Sequence, residues 1–158
     1  MHAIPMTHEN PQVSTATVSA TPAKKSAARY AVATVRLLTG LLFFVFGLNG
    51  FLNFIPQPTT PLPPGAVAFA SALMATGYMM PLIAVTMLIV GALLLVNRFV
   101  PLALVLIAPF IVNSVAFHVF LEPSGRVMAG IVLALELYLA WSYRAAYRPL
   151  FVARNSPQ

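Results

Sequence analysis

Cysteine is absent from this chain of 158 residues, and acidic side chains are almost absent, with three in total. Without cysteine, the chain has no disulfide, no thiolate nucleophile and no cysteine-ligated zinc or iron–sulfur cluster. Charged residues make up 8% of the sequence, whereas a soluble globular domain carries about 25%. Hydrophobic residues make up 59%. So few charges cannot keep so apolar a surface in water, which indicates that lipid is the main solvent.

Recognisable motifs for catalysis or cofactor binding are also missing. The sequence has no Ser–His–Asp set, no phosphate-binding loop and no dinucleotide fingerprint. His2 and His8 lie in the N-terminal tail, and His118 is the one histidine in the apolar region. We therefore expect no metal, haem or nucleotide. The net charge of +6 could suggest nucleic acid, but the basic residues flank apolar runs, so membrane topology explains them better.

Four apolar runs of 17 to 23 residues are present, at 37–55, 78–96, 99–121 and 127–143. A helix needs about 20 apolar residues to cross a hydrocarbon core of about 30 Å, so each run predicts a membrane span. A fifth run, 66–77, is too short to cross alone. We expect a short helix there that lies at the interface or re-enters the membrane. The predicted fold is therefore an all-α integral membrane four-helix bundle with one extra short helix.

Basic residues are distributed unevenly between the two sides predicted by these spans. Eight of the nine fall on one side, and only Arg126 falls on the other. Because cytoplasmic loops are enriched in Lys and Arg, this asymmetry predicts that both termini are cytoplasmic. Trp141, Tyr143 and Tyr147 are typical of an aromatic belt at the same interface.

Composition also predicts the domain boundaries. Residues 1–28 are rich in Thr, Ser, Ala and Pro, which favours a disordered cytoplasmic tail. An organelle transit peptide is the alternative, although three prolines argue against an amphipathic helix. Residues 29–151 form the predicted transmembrane domain, and 152–158 form a second cytoplasmic tail. The proline-rich segment 54–65 is expected to be a stiff extracytoplasmic connection.

Five polar residues inside the spans are candidates for function. A turn at 121–125 would place Asn113 level with Glu136, with His118 nearer the outer surface. Asn49 and Asn53 are four residues apart and would share a helix face. Ionisable residues inside membranes are expensive and are functional candidates by default. We therefore predict that His118 and Glu136 form a proton relay, while Asn49, Asn53 and Asn113 contact a ligand.

Structural roles are the alternative for most of these residues. Asparagine in a transmembrane helix more often forms interhelical hydrogen bonds than binds a ligand. His118 could equally point to water or cap a neighbouring helix. Gly47 and Gly50 are expected to be sites of close helix packing rather than parts of a pocket.

Between residues 36 and 151 the chain resembles the DoxX/DoxD-like family of small bacterial inner-membrane proteins. The stretches that carry the resemblance are GLLFFVFGLNGFLNFIP (40–56), ATGYMMPLIAVTMLIVGALLLVNRFVPLAL (75–104), NSVAFHVFLEPSG (113–125) and ALELYLAWSYRAAYRPLF (134–151). The resemblance implies a four-helix membrane bundle in a bacterial inner membrane. Some members are linked with thiosulfate:quinone oxidoreductase or thiol-stress complexes, and many have no assigned activity.

Two classes of function follow from these observations. In the first, the chain is a membrane subunit of a redox-linked or stress-linked complex that binds a lipophilic small molecule such as a quinone. In the second, it is a non-enzymatic scaffold, assembly factor or carrier. The expected partner in both is the lipid bilayer, with a redox or other membrane protein and a second copy of the chain as further candidates.

Overall fold

The computed structural model describes residues 23–56 and 60–151. Five α-helices follow one another along the chain: α1 (Ala23–Leu52), α2 (Pro64–Ala75), α3 (Met79–Leu95), α4 (Val100–Phe120) and α5 (Arg126–Ser142). A short 3-10 turn, Pro123–Gly125, joins α4 to α5, and a second 3-10 segment, Arg144–Phe151, follows α5. These residues contain no β-strand, so the all-α prediction is confirmed for them.

The four later helices begin and end within two residues of the predicted bounds, but α1 differs. It begins at Ala23, so residues 23–28 are helical, although they were predicted to belong to a disordered tail. This segment reads AKKSAA, and Ala and Lys favour helix in water, so the helix can continue beyond the apolar run. Residues 1–22 and 152–158 of the predicted tails lie outside the described residues.

Three segments are long and apolar enough to cross a membrane: Ala27–Leu52, Val100–Phe120 and Pro123–Ser142. Helix α3 has 17 residues, which gives a length of about 25 Å at 1.5 Å per residue. It meets α2 at an angle of 89°, and the two together would form a fourth, broken span. The chain therefore has three to four apolar helices that could cross a bilayer.

Large apolar side chains cover the outside of the molecule. Phe120 is 81% exposed and Val127 is 75% exposed, whereas the buried core is a small cluster around Leu94, Leu104 and Ile107. Helices that are apolar on all sides belong in a membrane, because lipid solvates the outer surface.

Consecutive long helices run antiparallel and pack side by side. Helix α1 packs on α3, α3 on α4, α4 on α5, and α5 returns to α1. This arrangement gives the molecule two ends. We call the one with the α3–α4 loop the Arg98 end, and the one with the α4–α5 turn the Glu122 end.

Helices α1 and α3 approach so closely that their backbones touch. A Cβ atom at Gly91 of α3 would lie 2.5 Å from the backbone nitrogen of Phe44, and one at Gly47 of α1 would lie 2.7 Å from that of Leu88. At Gly50 it would lie 2.6 Å from the Cβ of Ala84. The predicted packing role of Gly47 and Gly50 is confirmed, and we call this contact the α1–α3 seam.

Candidate functional site

Asn49 and Asn53 lie where α1 ends. The Oδ1 atom of Asn49 accepts a hydrogen bond of 2.7 Å from the backbone nitrogen of Ile55, so this side chain fixes the chain as it leaves the helix. Asn53 lies beyond the last helical residue, is exposed, and has a φ of 50°, a left-handed conformation that Asn tolerates better than most residues. The expectation that both share a helix face is wrong, because α1 ends at Leu52 rather than near Ile55.

Asn113 lies in a groove between α2, α3 and α4. The groove has a volume of about 410 Å³, and almost all of its wall is apolar. Eleven residues line it: Phe69, Leu73, Met79, Leu82, Ile83, Thr86, Leu106, Ile107, Pro109, Phe110 and Asn113. Thr86 donates its hydroxyl hydrogen to the carbonyl oxygen of Leu82 at 2.8 Å, within its own helix. Asn113 is therefore the side chain in this lining that still has hydrogen atoms to donate.

His118 bonds with Glu122, not with Glu136. Its Nδ1 lies 3.0 Å from the Oε2 atom and 3.0 Å from the backbone oxygen of Glu122. The same carboxylate accepts from the backbone nitrogens of Ser124, at 3.1 Å, and Gly125, at 3.0 Å, and from the hydroxyl of Ser124. The His118 ring covers Gly125, where a Cβ would lie 2.2 Å from its Cε1 atom, so glycine is the residue that fits this turn.

The hydrogen bonds to Glu122 also stabilise its charged form. The bond from the Ser124 hydroxyl is the largest cause of a pKa below the ordinary value of 4.5, and the backbone N–H groups of Gly125 and Ser124 add to it. Burial acts in the opposite direction. Glu122 is therefore a carboxylate at neutral pH, held by donors on several sides.

Glu136 lies on the buried face of α5, where it is 6% exposed. Its Oε2 atom has no hydrogen-bond partner within the part of the chain that the structure describes, and the same is true of the buried Thr39 hydroxyl of α1. The phenol of Tyr147 lies toward the Arg98 end and donates to the carbonyl oxygen of Pro101 at 3.2 Å. Burial raises the pKa of this phenol.

The five predicted site residues thus occupy four separate places rather than one pocket. Asn49 and Asn53 end α1, Asn113 lines the groove, and His118 belongs to the α4–α5 turn. Glu136 is buried, whereas Asn113 is exposed, and neither Glu136 nor His118 lines the groove. The relay between Glu136 and His118 stays a prediction, and no hydrogen-bonded path joins the two among the described residues.

Sequence reasoning missed Glu122 and Arg36. The signal for Glu122 was its spacing, because it lies four residues after His118 and two before a Ser–Gly pair that turns the chain. Arg36 carried no such signal. Its guanidinium is buried and donates from Nη1 to the carbonyl oxygens at the end of α3, and only tertiary packing brings those two helices together.

The described residues include no group of three or more His, Cys, Asp or Glu side chains that could hold a metal ion. The chemistry that they do offer is an apolar groove with one amide, a carboxylate–imidazole pair at the Glu122 end and a buried carboxyl group. None of the protein families, curated proteins or solved structures compared with this chain matches it.

Proposed function

We propose that this protein is a multi-pass membrane subunit of the DoxX-like type that binds a lipophilic small molecule, such as a quinone, in the groove around Asn113. One observation carries the proposal: the groove is walled by apolar and aromatic side chains and contains a single amide donor. Small-molecule sites are typically of this kind, with a volume of about 300–1,000 Å³ and a few polar groups that fix orientation.

A quinone suits this groove because its ring and tail match the apolar wall, and its carbonyl groups match the amide of Asn113. The ring and isoprenoid tail would lie against residues such as Phe69, Leu82 and Phe110. A ring carbonyl would accept a hydrogen bond from the side-chain nitrogen of Asn113. The chain has no cysteine, so electrons would come from a redox partner protein, and the role of this chain would be to bind and position the molecule.

The transmembrane arrangement belongs to the same proposal. With α2 and α3 as a bent pair, four antiparallel helices would cross a bacterial inner membrane as a bundle. Helix α2 would lie as a short interfacial or re-entrant element beside the groove. The sharp bend between α2 and α3 and the apolar outer surface support this arrangement.

Mass spectrometry of lipophilic molecules that co-purify with the full-length protein tests the ligand. Wild type should carry bound quinone, and Asn113→Leu, which removes the donor but keeps the apolar wall, should bind it about fivefold more weakly. Asn53→Gly is the matched control, because it removes an exposed asparagine outside the groove and tolerates the positive φ of that position. Equal quinone occupancy in wild type and Asn113→Leu would contradict the proposed role of Asn113.

A scaffold or assembly factor is the second candidate function, and a specific observation favours it. Asn49 and His118 have local hydrogen-bond partners, and the seam glycines have a packing role, so most of the polar and small residues are explained without a ligand. Absence of any co-purified lipophilic molecule, together with no change in thermal stability on adding quinone, would favour this function over ligand binding.

A further inference from the structure

A second concave site lies at the Arg98 end, far along the helices from the α4–α5 turn. Its volume is about 460 Å³, and it is lined by one face of α1, by the α3–α4 loop and by the end of α5. The polar side chains in this lining are Arg29, Arg36, Asn97, Ser142 and Tyr143. We call it the arginine pocket, since its two charged groups are both guanidinium ions.

Arg29 and Arg36 share a face of α1 because they are seven residues, about two turns, apart. Arg29 is exposed, whereas Arg36 is 8% exposed and is anchored through Nη1 on the carbonyl oxygens of Leu94 and Leu95. A guanidinium has five N–H donors. Those on Nε and Nη2 of Arg36 have no acceptor among the described residues, so they remain for a group that enters the pocket.

The positive charge of this pocket has no carboxylate beside it in residues 23–56 and 60–151. The chain has three acidic side chains, Glu9, Glu122 and Glu136. Glu9 lies outside the described residues, Glu122 lies at the opposite end, and Glu136 is buried without an arginine partner. The one ion pair in those ranges joins His118 to Glu122.

Helix α3 offsets only part of this charge. Its C-terminal carbonyl groups, which Arg36 contacts, act as about half of a negative elementary charge. That leaves roughly half the charge of Arg36 and the whole charge of Arg29, so an anion would be attracted to the pocket. Guanidinium groups bind the oxygens of phosphate and carboxylate groups with a matching fork of donors, and phosphate is the anionic group that membrane lipids carry at headgroup depth.

From these observations, we propose that the arginine pocket binds a phosphate group, held by Arg29 and Arg36. The position of the pocket suits the headgroup of an anionic phospholipid, because the pocket opens beside Tyr143, and Trp141, 69% exposed, lies next to it in the chain. Tyrosine and tryptophan concentrate at headgroup depth. Basic pockets between helices at this depth bind anionic headgroups, and a free phosphorylated solute would use the same chemistry.

The test compares full-length protein variants by native mass spectrometry in detergent. The lipid probes are phosphatidylglycerol and phosphatidylcholine with identical tails. Wild type should bind phosphatidylglycerol in preference, and Arg29→Gln should weaken that binding about fivefold while leaving phosphatidylcholine unaffected. Arg98→Gln is the matched control, since Arg98 is exposed at the same end and does not line the pocket. Arg36→Lys should give an intermediate loss of phosphatidylglycerol binding, because lysine keeps the positive charge but lacks the forked donors of a guanidinium group.

A second measurement separates the two sources of phosphate and guards against misfolding. Thermal unfolding midpoints are recorded with inorganic phosphate at constant ionic strength. A midpoint raised by inorganic phosphate in wild type and Arg98→Gln, but not in Arg29→Gln, together with no preference for phosphatidylglycerol, would assign the pocket to a free phosphate compound. No response of wild type to either probe would overturn the proposal. An equal loss of phosphatidylglycerol binding in Arg98→Gln and Arg29→Gln would also overturn it, because diffuse surface charge would then suffice.

Discussion

The partner of His118 is a neighbour along the chain. His118 was expected to work with Glu136 across a helix pair, yet it bonds with Glu122, four residues away. A hydrogen bond to a partner four residues away orders few additional residues, so it forms at a small cost in conformational entropy. The carboxylate of Glu122 then organises the whole turn, because it also accepts from Ser124 and Gly125.

From the hydrogen bonds of this turn we predict that the stability of the protein falls in acid. The folded-state pKa of Glu122 lies below its ordinary value of 4.5, chiefly because the Ser124 hydroxyl donates to it. Its contribution to stability is therefore full above about pH 4.5 and is lost as the pH falls through the lower, folded-state pKa. Thermal unfolding midpoints measured in detergent between about pH 6 and pH 3 should fall further in wild type than in Glu122→Gln.

Ser124→Ala supplies the control for this prediction. It removes the hydrogen bond that lowers the pKa most, so the acid-induced loss of stability should be smaller than in wild type and should be complete at a higher pH. Identical pH profiles for wild type, Ser124→Ala and Glu122→Gln would show that the turn does not contribute to acid sensitivity.

At the residue scale, the sequence identified candidate residues but not their partners. Glu136 was singled out because a carboxyl group inside an apolar run is costly, and the structure does bury it. The predicted turn at 121–125 placed Asn113 level with Glu136, but depth in the membrane does not determine which helix face a side chain occupies. Asn113 faces the groove that α4 forms with α2 and α3. The rotation of α4 about its axis, which sets this direction, depends on how the helices pack and cannot be deduced from the sequence of one span.

Among the helices, the α1–α3 seam is the tightest contact. Small residues on both helices let the backbones meet, which is how helices associate where lipid removes most of the hydrophobic driving force. Helix α3 also supplies one wall of the Asn113 groove and anchors Arg36 of the arginine pocket. The seam thus positions parts of both proposed sites.

Substituting alanine at a glycine of the seam should be costly. In Gly91→Ala the new Cβ would lie 2.5 Å from the backbone nitrogen of Phe44, so the helices would have to separate. We expect a loss of about 1–3 kcal/mol in stability, measured by thermal or denaturant unfolding in detergent. Gly130→Ala is the control, because a Cβ there meets nothing within 4 Å. It should be neutral or stabilise α5 by up to about 1 kcal/mol. Equal effects of the two substitutions would contradict the importance of the seam.

Helix bounds were predictable from hydropathy, because apolar runs end where loops begin. The start of α1 was not, since a helix that leaves the membrane continues in residues such as Ala23 and Lys24 without an apolar signal. The short run 66–77 was recognised as a separate helix, and the structure turns the chain through 89° before α3. Gly77, with a φ of 73°, lies in this bend, and glycine adopts such a backbone without strain.

For the whole molecule, charge is separated between the two ends. Arg29, Arg36, Arg98, Arg144 and Arg148 lie toward the Arg98 end, and Arg126 lies beside the turn at the Glu122 end, where it donates to the carbonyl oxygens of His118 and Val119. Because positive residues favour the cytoplasmic side, this separation predicts the orientation in the membrane.

Reporter fusions test that orientation directly. A reporter at Gln158 should be active in the cytoplasm, and one inserted near Thr60 should be active only on the far side of the membrane. Replacing Arg98, Arg144 and Arg148 by Gln together should weaken this preference, whereas Arg126→Gln should leave it unchanged or stronger. A C-terminal reporter active only outside the cytoplasm would invert the proposed topology.

The contact between Gly91 and Phe44 also determines how the molecule responds to cooling. In water, helices associate largely because water is released from apolar surface, and that driving force weakens as the temperature falls. Lipid tails are as apolar as the side chains, so the α1–α3 seam gains little from solvent release and depends on van der Waals contact between backbones. Glycine and alanine also have no side-chain rotamers to lose when the helices join. Cooling weakens neither the van der Waals contact nor the advantage of having no rotamer entropy to lose. This pair of helices should therefore stay together at temperatures where the hydrophobic core of a water-soluble protein is losing its main stabilising force.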